Sequence, residues 1–161
     1  MTNSFKFTAR GDRELVMIRV FDAPRHLVFD AWTKPALLKR WLGPRSWSMT
    51  VCEVDLKIGG TYRFVWRGAD GSEMGMGGVY REIVPGERLA ATETFDVPWY
   101  PGGALATTIL VEHDGKTTAT TTIRYELSEA RDIAFKSGME RGAAESYDRL
   151  EELCAARGAG D

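Results

Sequence analysis

The sequence predicts one α+β domain, in which a curved antiparallel sheet wraps around a long C-terminal helix. The region 49–127 alternates in hydrophobicity and is interrupted by frequent turn signals, as expected for consecutive antiparallel strands. Two short helical stretches, each opened by a proline, come before it at 21–44. From residue 128 onward, the apolar residues recur at helical spacing. We expect the domain to span 1–161, with its core at about 14–155.

Composition removes several classes of protein from consideration. The chain has 161 residues and a net charge of −2, which gives no electrostatic reason to expect binding to nucleic acid or to a membrane surface. No apolar run reaches the roughly 20 residues of a membrane span, and the charged N-terminal segment lacks the apolar core of a signal peptide. Cys52 and Cys154 are too few and too far apart for a disulfide framework or a metal motif. We therefore expect a cytoplasmic protein.

The prolines define a pair of short helices after the first main strand, ELVMIRVF at 14–21. Pro24 and Pro35 suit first-turn positions, where a helix has no use for the missing backbone N–H. Because a residue before proline avoids the helical region, Lys34 should end the first helix near Thr33. The Gly43–Pro44 pair should end the second helix. A short strand at Phe5–Thr8 could precede the first main strand.

Turn residues divide 49–127 into six strands. The last two should form a hairpin at Asp114–Gly115, a dipeptide that suits a turn with positive φ. The glycines of GMGG at 75–78 lie within a predicted strand, so they are not a dinucleotide fingerprint. We expect them to allow a sharp bend or a close approach.

The C-terminal segment is predicted to be one helix from Ser128 to Ala155, with the Ser128 hydroxyl capping its N-terminus. Gly138 and Gly142 would each cost about 1 kcal/mol inside this helix, relative to alanine. Two explanations remain open: close packing of the helix on the sheet, or space for a bound molecule beside it.

Three segments resemble, in order, the family named for activators of the heat-shock-protein-90 ATPase: RVFDAPRHLVFDAWTKPALLKRWLGP, VDLKIGGTYRFVWRGADGSEMGMGGVYREIVPGERLAATETF and GMERGAAESYDRLEEL. The resemblance extends over about 14–155. It implies the helix-grip fold of START-like proteins, in which the short helix pair closes one end of the gap between sheet and long helix. Members of this family are single-domain proteins in many bacteria and an appended domain in the eukaryotic co-chaperone. Because one fold supports many functions, the resemblance specifies the fold better than the function.

The pattern of one strand supports a cavity in that gap. If Arg63 faces solvent, Tyr62, Phe64 and Trp66 share the inner face. Aromatic and methionine side chains adapt to varied apolar shapes, although at regular spacing they can equally be ordinary core. The predicted ligand-binding residues are Trp41, Tyr62, Phe64, Trp66, Met76, Phe95, Trp99, Phe135, Met139, Gly142 and Ala143.

The loop DVPWYPGG at 96–103 could add a lid. Its Trp99 either folds over the mouth of the gap or packs on the core or on a neighbouring subunit. The sequence does not separate these two roles.

No catalytic motif is visible, and no metal or cofactor site is predicted. His26 and Asp30 have i, i+4 spacing, which is far more often a surface hydrogen bond than an acid–base or metal site. The favoured function is binding of a small apolar or aromatic metabolite or lipid, which could be stress-related. Two alternatives remain, a co-chaperone-like interaction module with a chaperone partner and a cyclase- or dehydratase-type enzyme using the same cavity. The protein could be a monomer or a homodimer.

Overall fold

A computed structural model of the protein describes residues 4–160, so the ends of the predicted domain, 1–3 and 161, lie outside the described residues. The described part contains eight strands and four helices. They are β1 (Lys6–Arg10), β2 (Glu14–Phe21), α1 (Arg25–Thr33), α2 (Pro35–Trp41), β3 (Ser48–Val54), β4 (Thr61–Arg67), β5 (Glu73–Val84), β6 (Arg88–Phe95), β7 (Ala104–His113), β8 (Lys116–Tyr125), α3 (Ser128–Lys136) and α4 (Met139–Gly160).

The strands form one curved sheet in the order β1-β2-β8-β7-β6-β5-β4-β3. Every neighbouring pair is antiparallel, which confirms the predicted fold class. The predicted hairpin is also confirmed, because Asp114 and Gly115 have φ values of 53° and 77° between β7 and β8. α4 lies across the sheet and packs on α1, α2 and β2.

The helix pair follows the prediction from its prolines. α1 ends at Thr33, because Lys34 has an extended backbone with φ −94° and ψ 123°. Pro35 is the first residue of α2, as expected, whereas Pro24 is the residue immediately before α1. None of the helices in the described part of the chain is both long and apolar enough to cross a membrane.

The prediction of a single C-terminal helix is wrong. α3 ends at Lys136, and α4 begins at Met139 after Gly138, whose φ of +90° interrupts the helix. The Ser137 hydroxyl stabilises the break, because it donates to the Ala134 carbonyl at 2.6 Å and accepts from the Met139 amide at 3.2 Å. The Ser128 cap is also wrong, since α3 begins at Ser128 itself and has no side-chain cap.

The glycines of β5 allow the close approach that was predicted. A Cβ atom on Gly78 would collide with the carbonyl of Thr92 on β6, and one on Gly77 would collide with the carbonyl of Tyr62 on β4. These two glycines therefore let the backbones of three strands come together beside the concave face.

A buried cation attaches α4 to the sheet. Arg19 of β2 is only 1% exposed, and its guanidinium donates to Asp148 at 2.8 Å and to Glu151 at 3.0 Å, both on α4. A charge this deep in the protein requires paired and hydrogen-bonded partners, so these contacts fix the position of α4 over β2.

Candidate functional site

A cavity of about 230 Å³ lies between the concave face of the sheet and α4. Most of its lining is apolar or aromatic, as is usual for sites that bind small molecules. The residues that line it are Met17, Trp32, Leu38, Trp41, Leu42, Tyr62, Phe64, Trp66, Met76, Tyr80, Leu89, Ala91, Glu93, Ala106, Thr108, Thr121, Ile123, Ala143, Ser146 and Tyr147.

Strand β4 supplies an aromatic wall. Tyr62, Phe64 and Trp66 face the cavity, and their neighbouring rings lie 4.8 and 5.9 Å apart between centroids. Arg63 points the other way and donates to both carboxylate oxygens of Asp96, at 2.8 and 2.6 Å. The predicted alternation along this strand is therefore confirmed.

The helix pair closes one end of the cavity. Leu38, Trp41 and Leu42 border it, and Trp41 is fixed because its indole N–H donates to the Ala31 carbonyl at 2.9 Å. The Trp66 indole N–H donates to the Leu42 carbonyl at 2.9 Å, which joins α2 to the aromatic wall. Tryptophan is well suited to this role, because it combines a large apolar surface with one polar attachment.

Gly43, directly after α2, makes that junction possible. Its φ of +103° is in the left-handed region, and a Cβ there would collide with the Trp66 indole. Ser146 and Arg149 of α4 attach to the same glycine: its amide donates to the Ser146 hydroxyl at 3.0 Å, and Arg149 donates to its carbonyl at 2.9 Å. The end of α2, β4 and α4 therefore meet at one point beside the cavity.

Helix α4 forms the opposite wall through Ala143, Ser146 and Tyr147. The Tyr147 hydroxyl donates to the Thr121 hydroxyl at 3.4 Å, and burial raises the Tyr147 pKa to about 12. Because Ala143 is small, the helix takes up little of the gap at this position.

Six of the predicted site residues come together around the cavity, and five do not. The cavity is bordered by Trp41, Tyr62, Phe64, Trp66, Met76 and Ala143. The five that lie elsewhere are Phe95, Trp99, Phe135, Met139 and Gly142.

Three of these five lie on the C-terminal helices, where the break at Gly138 changes the register. The prediction that Phe135 faces the cavity is wrong, because it is 44% exposed and its ring stacks on Phe7 at 5.7 Å. Met139 lies instead beside Tyr125, with its sulfur 3.9 Å from the tyrosine hydroxyl. Gly142 is not among the residues that line the cavity, and the space around its Cβ position is open.

Phe95 and Trp99 belong to an aromatic group at the end of β6. The Trp99 ring lies 5.6 Å from Phe95 and 4.9 Å from Tyr100, and Trp99 is 37% exposed. Tyr100 is the ring of this loop that folds inward, because it is buried and packs edge-on against Tyr125 at 5.1 Å.

Glu93 is not among the site residues predicted from the sequence, although it is the only charged residue among the described residues that line the cavity. One oxygen of its carboxyl group accepts a hydrogen bond from the Tyr100 hydroxyl at 3.1 Å. Burial raises the pKa of this carboxyl group, and the hydrogen bond from Tyr100 opposes that effect. A signal was available, because the period of two along β6 places Glu93 on the same face as Leu89 and Ala91.

Several tyrosines surround this carboxyl group. Burial is the main cause of the raised pKa values of Tyr62, Tyr100 and Tyr125, and the charge of Glu93 is the next cause for each of them. The Tyr62 hydroxyl is already engaged, because it donates to the Thr92 carbonyl at 2.8 Å. Of these tyrosines, Tyr62 borders the cavity and Tyr100 contacts the Glu93 carboxyl group directly.

Other candidates for catalysis or metal binding lie outside this site. Asp30 forms ion pairs with Lys34 at 3.4 Å and Arg157 at 3.8 Å. Within residues 4–160, no group of three or more His, Cys, Asp or Glu side chains is arranged to hold a metal ion.

Comparison with known proteins places the chain among known folds. A family model described as "Activator of Hsp90 ATPase homolog 1-like protein" matches residues 22–155. The chain is 32% identical to a protein of Rhodobacter sphaeroides whose crystal structure gives a TM-score of 0.89, covering 94% of this chain and 98% of that one. A protein of Nitrosomonas europaea is 26% identical, with a TM-score of 0.83 and coverage of 94% and 99%.

A more distant structure shows the fold alone. It is the AHSA1 protein of Silicibacter pomeroyi, 19% identical, with a TM-score of 0.73 and coverage of 89% of this chain and 99% of that one. None of the curated proteins compared with the chain matches it.

Proposed function

The chain belongs to the family of Activator of Hsp90 ATPase homolog 1-like proteins, and we propose that it binds a small apolar or aromatic molecule in the cavity between the sheet and α4. The observation that carries this proposal is the cavity itself, which is about 230 Å³ in volume and bordered by six of the residues predicted from the sequence. An ordinary core would fill such a space with side chains, because protein interiors are close-packed.

The energetics of binding are favourable for a compact ligand. A molecule that buries ~300 Å² of apolar surface gains roughly 7 kcal/mol at about 25 cal/mol per Å². Loss of translational, rotational and side-chain freedom reduces this gain, so we expect micromolar or weaker affinity.

Substitutions that fill the cavity test the proposal. Ala143→Leu on α4 and Ala106→Leu on β7 each add a bulky side chain from a different wall. Ala155→Leu makes the same change at an exposed position of α4 and is the matched control. We expect naphthalene-sized probes to bind the wild type and the control but neither cavity variant. Ligand-observed NMR measures this binding.

Native mass spectrometry provides a second measurement on the wild-type protein, which we expect to retain a small molecule during purification without denaturation. The proposal is wrong if the wild type binds none of the probes and no co-purified molecule is found. It is equally wrong if both cavity variants fold and bind the probes as tightly as the wild type.

The two alternatives remain predictions. The co-chaperone role rests on the family's name, and its direct test is whether the purified protein raises the ATPase rate of Hsp90. The enzyme role requires a proton-transfer group inside the cavity, and Glu93 is chemically suited to it because burial raises its pKa. A chemically altered ligand, recovered from the wild type but not from Glu93→Gln, would support this role.

A further inference from the structure

Glu93 is half-buried on the wall of the cavity, and its carboxylate has one hydrogen-bond partner among the described residues. The Tyr100 hydroxyl donates to one carboxylate oxygen, and within residues 4–158 the other oxygen accepts no hydrogen bond. No lysine or arginine of these residues forms an ion pair with Glu93. A carboxylate in an apolar cavity is stable only if it is paired or protonated.

The surroundings of the carboxyl group favour a positively charged partner. The Tyr62 ring borders the same cavity as Glu93, and the Tyr100 hydroxyl lies 3.1 Å from the Glu93 carboxylate. Aromatic rings attract cations through their electron-rich faces, and a charge-assisted hydrogen bond is about twice as strong as a neutral one. An ammonium group would supply both the donor and the counter-charge that Glu93 lacks.

We propose that the cavity selects amphipathic amines, with an apolar ring-sized body against the aromatic wall and one protonated amino group hydrogen-bonded to the free carboxylate oxygen of Glu93. This inference rests on the proposed function, because it names the class of ligand for the same cavity. A ligand carboxylate would be rejected, since it would bring a second negative charge beside Glu93.

Three probes of matched size separate these possibilities: 2-(1-naphthyl)ethylamine, 2-(1-naphthyl)ethanol and 1-naphthylacetate. The amine and the alcohol share the same naphthylethyl body and the carboxylate carries the same naphthalene ring, so differences in affinity report the head group. In calorimetric titrations at pH 7.5 we expect the amine to bind at least tenfold more tightly than the alcohol, and the carboxylate to bind most weakly. This ranking is measured on the wild-type protein and needs no variant.

Glu93→Gln identifies the residue responsible. Glutamine keeps the size and a hydrogen-bonding oxygen but removes the charge. We expect the preference for the amine over the alcohol to fall from at least tenfold to about twofold or less. Ala155→Leu, on the exposed side of α4, should keep the wild-type preference.

The outcomes distinguish this inference from the proposed function. If the wild type binds the amine and the alcohol equally, the selection of amines is wrong while the apolar site stands. If Glu93→Gln keeps the tenfold preference, Glu93 does not bind the amino group and the proposed role of this carboxylate is wrong. If none of the three probes binds the wild type, both proposals fail.

Discussion

At the scale of single residues, Glu93 stands out as a carboxylate on the wall of a mostly apolar cavity. It shares a face of β6 with Leu89 and Ala91, and those positions face an apolar cavity. Burial raises the pKa of its carboxyl group because the charged form loses water without gaining a cationic partner. A residue in this position reduces stability when it is charged, so a role in binding would explain its presence.

Glu93→Gln should therefore change how stability depends on pH. In the unfolded chain Glu93 titrates near its usual pKa of about 4.3, whereas in the folded protein its pKa is higher. Between these two values the folded protein holds more protons than the unfolded chain, so its free energy of unfolding falls as pH rises. We expect Glu93→Gln to lack this decline and to gain stability over the wild type as the pH rises from about 4.

Urea unfolding of both proteins across that pH range measures the difference. All other titrating groups are common to both chains and cancel in the comparison. A difference in the free energy of unfolding that stays constant with pH would contradict the raised pKa.

The residue scale also shows where sequence reasoning succeeds. Alternation along a strand is a local property that needs no knowledge of the neighbouring strands. The sequence alone therefore predicts that Tyr62, Phe64 and Trp66 share the inner face. Glu93 was missed although the same rule applies to its strand, since an acidic residue between two threonines is typical of a solvated face. Its position in the strand pattern indicates that Glu93 faces inward, whereas its charge indicates that it faces solvent.

At the scale of secondary-structure elements, prolines and glycines differ in how clearly they predict a boundary. Pro35 restricts the residue before it sterically, so the sequence predicts that α1 ends near Thr33, and the helix does end there. A glycine within a segment of helical periodicity is compatible both with a continuous helix and with a break. The break at Gly138 could not be predicted, because it depends on contacts that α3 and α4 make with different parts of the sheet.

That break explains several of the misplaced site residues. Phe135 and Ala143 are both predicted to line the cavity from one helix, but the two residues are on separate helices. α3 packs on β2 and β8, whereas α4 packs on α1, α2 and β2. Of the predicted site residues on these two helices, only Ala143 lines the cavity.

A pair of alanine substitutions tests the two glycines separately. Gly142 is inside α4 with open space around its Cβ position, so Gly142→Ala should stabilise the protein by about 1 kcal/mol through helix propensity. Gly138 has a φ of +90°, so Gly138→Ala should destabilise it by about 1–2 kcal/mol. Thermal and urea unfolding measure both changes, and stabilisation by Gly138→Ala would indicate a continuous helix instead.

At the scale of the whole molecule, the cavity remains open because polar contacts hold α4 at its two flanks. On one side Arg19 of β2 is paired with Asp148 and Glu151. On the other side Arg149 donates to the carbonyls of Arg40 and Gly43 at the end of α2, at 2.9 Å in both cases. These contacts fix the distance between α4 and the sheet, so the small Ala143 leaves a gap between the helix and the aromatic wall.

The burial of aromatic residues throughout the molecule leads to a last prediction, at alkaline pH. All five tyrosines have raised pKa values with burial as the main cause, and for Tyr80 and Tyr147 the value is about 12. In the unfolded chain tyrosine ionises near pH 10, so above this pH the folded protein holds protons that the unfolded chain has lost. The free energy of unfolding must then fall as pH rises, by up to about 1.4 kcal/mol per pH unit for each fully buried tyrosine.

We therefore expect the phenolate absorbance near 295 nm to appear in one cooperative step, together with the loss of far-ultraviolet circular dichroism. The two signals should share a midpoint above pH 10, because the buried hydroxyl groups reach water only when the fold opens. Gradual ionisation centred near pH 10, with the dichroism unchanged, would mean that the tyrosines are accessible in the folded state. In that case water would reach the aromatic wall and Glu93 and would screen the carboxylate. The site could then not distinguish an amine from an alcohol by charge.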